Sequence, residues 1–223
     1  MSNKELKTTG DGSHTLFNSA VGEYYHSIHG AIQESTHVFI EAGLHSRASG
    51  PGKINILEIG FGTGLNCLLS YSESLELGLP VTYTAFEPFP LSKATISLLN
   101  YCRFEDLAGY ESVFIAMHEK FSGLIKLRND FLLSRINTAF EEAILETGSF
   151  NLVYFDAFSP EVQPELWQPE IFGKIRESLV PGGILVTYCA KGAVRRALQQ
   201  SGFSTERLPG PPGKREMLRA TAI

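Results

Sequence analysis

The chain has 223 residues, 43% of them hydrophobic, with 19 basic and 24 acidic side chains and a net charge of −5. This suits one large domain with a real core. It excludes a bilayer-spanning helix, because no apolar run approaches the ~20 residues required. A secretory signal is not expected, because MSNKELKTTGDGS has no apolar stretch. The three cysteines, Cys67, Cys102 and Cys189, are odd in number and far apart. They argue against a disulfide framework and against a metal site, and they suit the cytoplasm.

In chain order, residues 14–29 carry aromatic and histidine side chains around Gly22 and predict a hairpin or extended arm. Residues 31–44 read as a helix with an apolar side, and Ser49-Gly50-Pro51-Gly52 as a breaker. The domain division expected from this is an N-terminal hairpin and helix extension over 1–50 and a main domain over 51–223. Regular alternation follows: a strand over 54–59, a helix from about 64 to 77, a strand over 81–87 closed by Pro88 and Pro90, and a helix over 91–99. The middle is the least legible part; 112–117 and 131–136 read as strands and 137–146 as a helix. Beyond it come a strand over 150–156, a helix over 169–179, a Pro181-Gly182-Gly183 turn into a strand over 184–189, and a helix over 193–200. Two last strands, 203–208 and 216–222, are joined by a short loop, so they can pair antiparallel. Near-continuous apolar strands alternating with helices indicate an α/β fold with a parallel sheet covered on both faces.

The chemistry concentrates where these strands end. ILEIGFGTGLN, residues 56–66, is an apolar strand with one acid, Glu58, running into Gly60, Gly62 and Gly64 and then a helix. Bare backbone followed by the free N–H groups of a helix start is how such a sheet holds a nucleotide-like cofactor. A dinucleotide fingerprint would space its glycines G-x-G-x-x-G; here the spacing is G-x-G-x-G. Glu87 closes the next strand in TAFEPFP, and a carboxylate there can accept from both hydroxyls of a ribose. That feature serves NAD and S-adenosyl-L-methionine equally. Asn66 is a candidate cofactor contact and Phe61 a candidate pocket wall. Asp156 ends the strand of YFDAFSPEVQPELW, followed by three prolines and Trp167. An acid, a stiff loop and an aromatic at a sheet's carboxyl edge mark a reaction site.

Charge is uneven: residues 191–223 hold seven basic groups against two acids, a local +5 against −10 for the rest. Such a segment can bind phosphates despite the acidic total. His26 and His37 are too isolated to assign.

These residues resemble the methyltransferase domain of the MnmC-type tRNA 5-methylaminomethyl-2-thiouridine enzymes. GFGTGLN (60–66), Glu87, DAFSPEVQPELW (156–167) and GKREML (213–218) carry the resemblance. AKGAVRRALQQSGF (190–203), YHS (25–27) and ESTHVFI (34–40) extend it nearly end to end. It implies a Rossmann-like class I methyltransferase: a mostly parallel seven-stranded sheet with an antiparallel C-terminal strand and an N-terminal extension. It implies S-adenosyl-L-methionine as cofactor and methylation of the primary amine of 5-aminomethyl-2-thiouridine at the tRNA wobble position. The cofactor set is then Glu58, Gly60, Phe61, Gly62, Thr63, Gly64, Asn66, Glu87, Pro88, Asp156, Ala157 and Phe158, with Asp156 also catalytic. Tyr188, Lys191, Arg195, Arg196, Lys214 and Arg215 are the candidates for substrate and tRNA contact. With no flavin domain expected, a separate enzyme would supply the amine. One departure stands out: where relatives place an acid for the adenine amine, Arg135 or Asn137 occupies the expected slot. Methyl or aminopropyl transfer to a small free amine, an NAD-dependent dehydrogenase and a non-catalytic tRNA binder are the competing readings.

Overall fold

The computed structural model describes residues 4–48, 52–120 and 122–223. Three short strands open the chain, β1 (Lys4–Thr8), β2 (His14–Asn18) and β3 (Glu23–Tyr24), and form a small antiparallel sheet. β1 has no counterpart in the sequence reading, since KELKT is polar and faces solvent with no alternation to mark it. The turn into β2 is built on Asp11, whose carboxylate accepts from the Ser13 N–H at 2.9 Å and the Gln33 N–H at 3.0 Å. The predicted helix follows as α1 (Ala31–Ser35), a π-wound stretch Thr36–Leu44, and α2 (His45–Ala48). It lies on the main sheet with Phe39 against Tyr154, ring centroids 5.1 Å apart. Ser49, Gly50 and Pro51 of the expected breaker lie outside the described residues.

The main sheet has eight strands among the described residues: β4 (Ile54–Ile59), β5 (Val81–Phe86), β6 (Gly123–Arg128), β7 (Phe131–Ile136), β8 (Phe150–Phe155), β9 (Leu179–Thr187), β10 (Phe203–Pro209) and β11 (Glu216–Ala222). Their spatial order is β10-β11-β9-β8-β4-β5-β7-β6. β9, β8, β4, β5 and β7 are parallel; β10, β11 and β6 join antiparallel. The mostly parallel α/β sheet and the antiparallel C-terminal strands agree with the sequence reading, but the sheet is one strand wider than the seven expected. The additional strand, β6, is an exposed edge whose GLIKLR gives little burial signal.

β4 is central, and its neighbours β5 and β8 leave it in opposite directions. Strand order therefore reverses at its carboxyl end, which opens a crevice there. β4 is buried almost throughout because both its faces meet core. Ile56, with Tyr83, Phe131 and Tyr154, belongs to one apolar cluster; Leu57 and Ile59, with Val153, Phe155 and Phe172, belong to the other.

The remaining helices are α3 (Leu65–Glu76), α4 (Lys93–Ile96), α5 (Glu111–Met117), α6 (Pro169–Ser178) and α7 (Gly192–Gln200). Four local expectations need correction. Residues 112–117, expected as a strand, form α5, because Phe114 and Met117 share a helical face and are buried together. The helix expected over 137–146 is a single 3₁₀ turn, Phe140–Glu142, held by Phe140 edge-on to Phe86 at 5.2 Å. The helix expected over 91–99 is only α4, N-capped by Ser92, whose hydroxyl accepts from the Thr95 N–H. β9 begins at Leu179 and carries Pro181-Gly182-Gly183 within it as an irregularity; its register against β8 shifts there. Among the described residues no helix is long and apolar enough to cross a membrane.

Candidate active site

The crevice at the end of β4 is a cavity of about 820 Å³, well within the range of small-molecule sites. Its floor begins with Gly60, at φ +93°, where a Cβ would stand 2.4 Å from the Asp156 carbonyl oxygen. Only glycine lets β4 and β8 finish this close, and the Asp156 N–H donates to the Ile59 carbonyl at 2.9 Å across the gap. The Gly62 N–H donates to Glu87 Oε2 at 2.8 Å, and the Phe89 N–H to Glu87 Oε1 at 2.8 Å. Glu87 is thus fixed between the glycine turn and its own proline-flanked turn. α3 starts just beyond, with Gly64 in the left-handed region and no side-chain cap on its first turn.

Beneath the turn, one amide ties two acids. Asn66 Nδ2 donates to Glu58 Oε1 at 2.9 Å and to Asp156 Oδ2 at 2.8 Å. Glu58 is fully buried, and burial, with the nearby charges of Asp156 and Glu87, pushes its carboxyl up to about 8 against the pull of Asn66. Burial and the charge of Glu34 push Asp156 up to about 7, opposed by Asn66 and Lys214. At neutral pH the floor of the cavity therefore holds protons that ordinary carboxylates would have released.

The wall opposite comes from the N-terminal extension. Glu23 accepts from the Ser159 N–H at 3.1 Å and from the Ser159 hydroxyl, pinning the loop after β8. The Tyr25 ring meets Phe158 edge-on at 5.2 Å. His26 bridges Thr15 Oγ1 (3.1 Å) and Thr63 Oγ1 (3.3 Å), and burial holds it down at about 4, so it is neutral. Glu34, 6% exposed, accepts from the Ser27 N–H at 2.6 Å. Lys214, from the loop between β10 and β11, pairs with Glu34 at 2.6 Å, its ammonium 3.9 Å from the centroid of the Tyr188 ring. The Tyr188 hydroxyl donates to the Ala157 carbonyl at 2.9 Å.

Of the residues singled out from sequence, Gly60, Phe61, Gly62, Thr63, Asn66, Glu87, Pro88, Asp156, Ala157, Phe158, Tyr188 and Lys214 line this one cavity. Glu58 and Gly64 lie behind it: Glu58 under Asn66, Gly64 packed against Phe61 and His118. Lys191, Arg195, Arg196 and Arg215 do not line it. Lys191 is ion-paired with Glu161. Arg195 is half-buried on α7, and Arg196 and Arg215 are exposed. The basic C-terminal segment is less free than its composition suggests, because Arg207 pairs with Glu216, Arg219 with Glu206 and Lys214 with Glu34. Trp167 braces the loop from the core side, donating from Nε1 to the Phe158 carbonyl at 2.8 Å.

Neither Arg135 nor Asn137, the residues in the slot expected for an adenine contact, lines the cavity. Arg135 is buried with its guanidinium 4.5 Å from the Phe61 ring centroid, and donates to the carbonyls of Met117 and Lys120. The Asn137 amide, its nitrogen toward them, donates to the carbonyls of Glu87 and Pro88. Glu141 is the carboxylate that lines the cavity on this side, next to Phe140. Sequence reasoning did not single out Glu23, Tyr25 or Glu34, and left His26 unassigned. Tyr25, His26 and Glu34 were signalled only by the resemblance of YHS and ESTHVFI and Glu23 by nothing, since their spacing does not point toward strands remote in the sequence.

Comparisons with known proteins agree with this geometry. Residues 120–223 match the model of a family described as S-adenosyl-L-methionine-dependent methyltransferase. Over 212 residues the chain is 31% identical to the tRNA 5-methylaminomethyl-2-thiouridine biosynthesis bifunctional protein MnmC of Idiomarina loihiensis, covering 88% of this chain and 35% of that protein. The protein of the same name from Pseudomonas fluorescens is 29% identical over 209 residues, covering 88% of this chain and 32% of its own. The chain thus spans about a third of the length of the curated relatives it matches. The crystal structure of MNMC2 from Aquifex aeolicus superposes with a TM-score of 0.82 at 27% identity, over all of this chain and 71% of that one. Spermidine synthase from Thermotoga maritima, with a TM-score of 0.50 at 10% identity over 98% of this chain and 71% of its own, shares the fold alone. Over residues 120–223 the chain is thus similar to S-adenosyl-L-methionine-dependent methyltransferases, and along most of its length it is similar to part of the MnmC proteins.

Proposed function

We propose that the chain transfers a methyl group to the primary amine of 5-aminomethyl-2-thiouridine in tRNA, giving 5-methylaminomethyl-2-thiouridine, and so works in the cytoplasm. The observation that carries this reading is Asp156: a carboxylate on the cavity wall, tied to Asn66, whose carboxyl is pushed up to about 7. An alkyl amine, with a reference pKa of ~10.4, is mostly protonated at neutral pH and has no free lone pair. An acceptor poised near neutrality is suited to take that proton. An unperturbed aspartate, at ~3.9, is a weak base that would only orient the amine and pass the proton to water. Burial in this fold supports the stronger role.

The residues present fit the donor. Gly60 and Gly62 leave bare backbone where side chains would fill the crevice, since a Cβ at Gly62 would meet the Tyr25 ring at 3.1 Å. Glu87 has acceptor capacity beyond its two N–H partners and would take the ribose hydroxyls. Glu141 and Phe140 would flank the adenine, and Asn66 would hold Glu58 and Asp156 in place under the turn. When bound, S-adenosyl-L-methionine supplies a methyl group already electrophilic on sulfur. Asp156 then holds the amine and accepts its proton, and the walls from Tyr25 and Tyr188 restrict its approach; such orientation can be worth several kcal/mol. From the extension expected over 1–50, Glu23, Tyr25, His26 and Glu34 wall the cavity of the main domain. Arg195, Arg196 and Arg215, without a carboxylate partner among the described residues, are the candidates for phosphate contact.

The test is incubation with labelled S-adenosyl-L-methionine and tRNA carrying the aminomethyl group, followed by nucleoside analysis. Label in 5-methylaminomethyl-2-thiouridine is expected. No label in tRNA, with transfer to a small free amine instead, would overturn the reading.

A further inference from the structure

Two segments remote in sequence meet at the cavity in a single ion pair. Glu34 stands in α1 beyond the N-terminal sheet, Lys214 in the loop between β10 and β11, 180 positions later, and their charged atoms are 2.6 Å apart. Glu34 is buried, its carboxylate also bound to the Ser27 N–H. Lys214 is oriented by the Tyr188 ring, and the Tyr188 hydroxyl is anchored to the residue after Asp156. Glu34, Lys214, Tyr188 and Asp156 all line the same cavity. An exposed surface pair would contribute little; a pair walled into a cavity beside a reacting carboxylate acts on it through low dielectric.

We infer that Glu34 and Lys214 are positioning residues that set the charge state of Asp156, so that the N-terminal extension and the C-terminal loop are parts of the reaction site. This rests on the reading of Asp156 as the group that faces the acceptor amine. Glu34 is the nearby negative charge that makes Asp156 hold a proton more tightly, and Lys214 works against it. The other groups facing Asp156 are Asn66 and Glu58 from below and Tyr188 from β9's end. His26, neutral, borders the pair from the extension. Lys214 also has a second role in this arrangement, because its ion pair and the Ser27 N–H together hold the Glu34 carboxylate in place at the cavity wall.

The test titrates Asp156 itself by carbon NMR of aspartate-labelled apo protein, with the resonance assigned by loss in Asp156→Asn. It is read in Glu34→Gln and in Glu34→Gln/Lys214→Met. Glu34→Gln keeps the bond from Ser27 and the shape of the side chain. It is expected to lower the midpoint of Asp156 by roughly one pH unit, the lower end of what a nearby charge produces. The double variant is expected between Glu34→Gln and wild type, because the opposing charge has gone too. The acid limb of kcat for methyl transfer to tRNA should move with the NMR midpoint, while KM for the donor stays within about threefold. An unmoved or raised midpoint in Glu34→Gln, or a double variant equal to it, would overturn the inference. If Lys214→Met does not fold, the sign of the shift in Glu34→Gln alone decides. Failure of wild type to methylate tRNA, with the midpoints moving as stated, would sink the proposed acceptor and leave the coupling intact.

Discussion

Glu58→Gln isolates the cost of placing a carboxyl under the cofactor turn. In the unfolded chain Glu58 titrates near 4.5, and in the fold its carboxyl is pushed up to about 8. Between these values the native protein holds a proton that the unfolded chain has released, so native stability falls as pH rises through this window. At 1.36 kcal/mol per unit, the penalty at pH 9 is roughly 3–5 kcal/mol, and it vanishes below pH 4.5. The Glu58→Gln variant has no such penalty and keeps an oxygen to accept from Asn66 Nδ2. It should therefore match wild type at pH 4.5 and exceed it increasingly up to pH 8–9. For a chain of this size about 2–4 °C of Tm accompanies each kcal/mol, so a gain on the order of 10 °C is expected at pH 9. His26 and His118, which burial holds at about 4 and about 3, oppose this trend below pH 6.5 in both proteins. Their effect cancels in the difference. Thermal melts of both proteins at pH 4.5, 7 and 9 are the assay. A difference independent of pH, or a variant less stable at pH 9, would refute the argument that Glu58 is held protonated by burial.

Three further outcomes are expected. Asp156→Asn keeps an acceptor for Asn66 but removes the base, and kcat should fall about 10²- to 10⁴-fold while S-adenosylhomocysteine binding, measured calorimetrically, changes within a few-fold. Glu87→Ala removes the carboxylate that fixes the Gly62 N–H, and the same calorimetry should show affinity weakened roughly 10- to 100-fold, the scale of hydrogen bonds to a charged group. Gly60→Ala places a Cβ 2.4 Å from the Asp156 carbonyl oxygen in a left-handed backbone; urea unfolding should show a loss of roughly 2–5 kcal/mol, and an unchanged midpoint would contradict the close approach of β4 and β8.

Much of the sheet was legible because its strands carry strong local signals. INILEI and FNLVYF are predominantly apolar, broken only by Asn55, Glu58 and Asn151, as strands covered on both faces are, and the glycines after Ile59 mark where the chain must turn tightly. The middle was not, because its signals compete. ESVFIAM has the β-branched content of a strand and the Phe114–Met117 spacing of a helix, and packing decided for the helix. GLIKLR is an edge strand that owes its place to pairing with β7 and not to its own pattern.

The sequence by itself determined the parallel α/β architecture, the glycine turn at Gly60–Gly64 and the strand-end acids Glu87 and Asp156, since each depends on local spacing and on the period of apolar residues. Only the tertiary structure decided that Glu34 from the extension and Lys214 from the last loop meet at the cavity that Asp156 lines, and that Glu58 and Asp156 share one amide of Asn66. A charge's partner and its distance from water are properties of the folded whole, and these set whether a carboxyl keeps its proton at neutral pH.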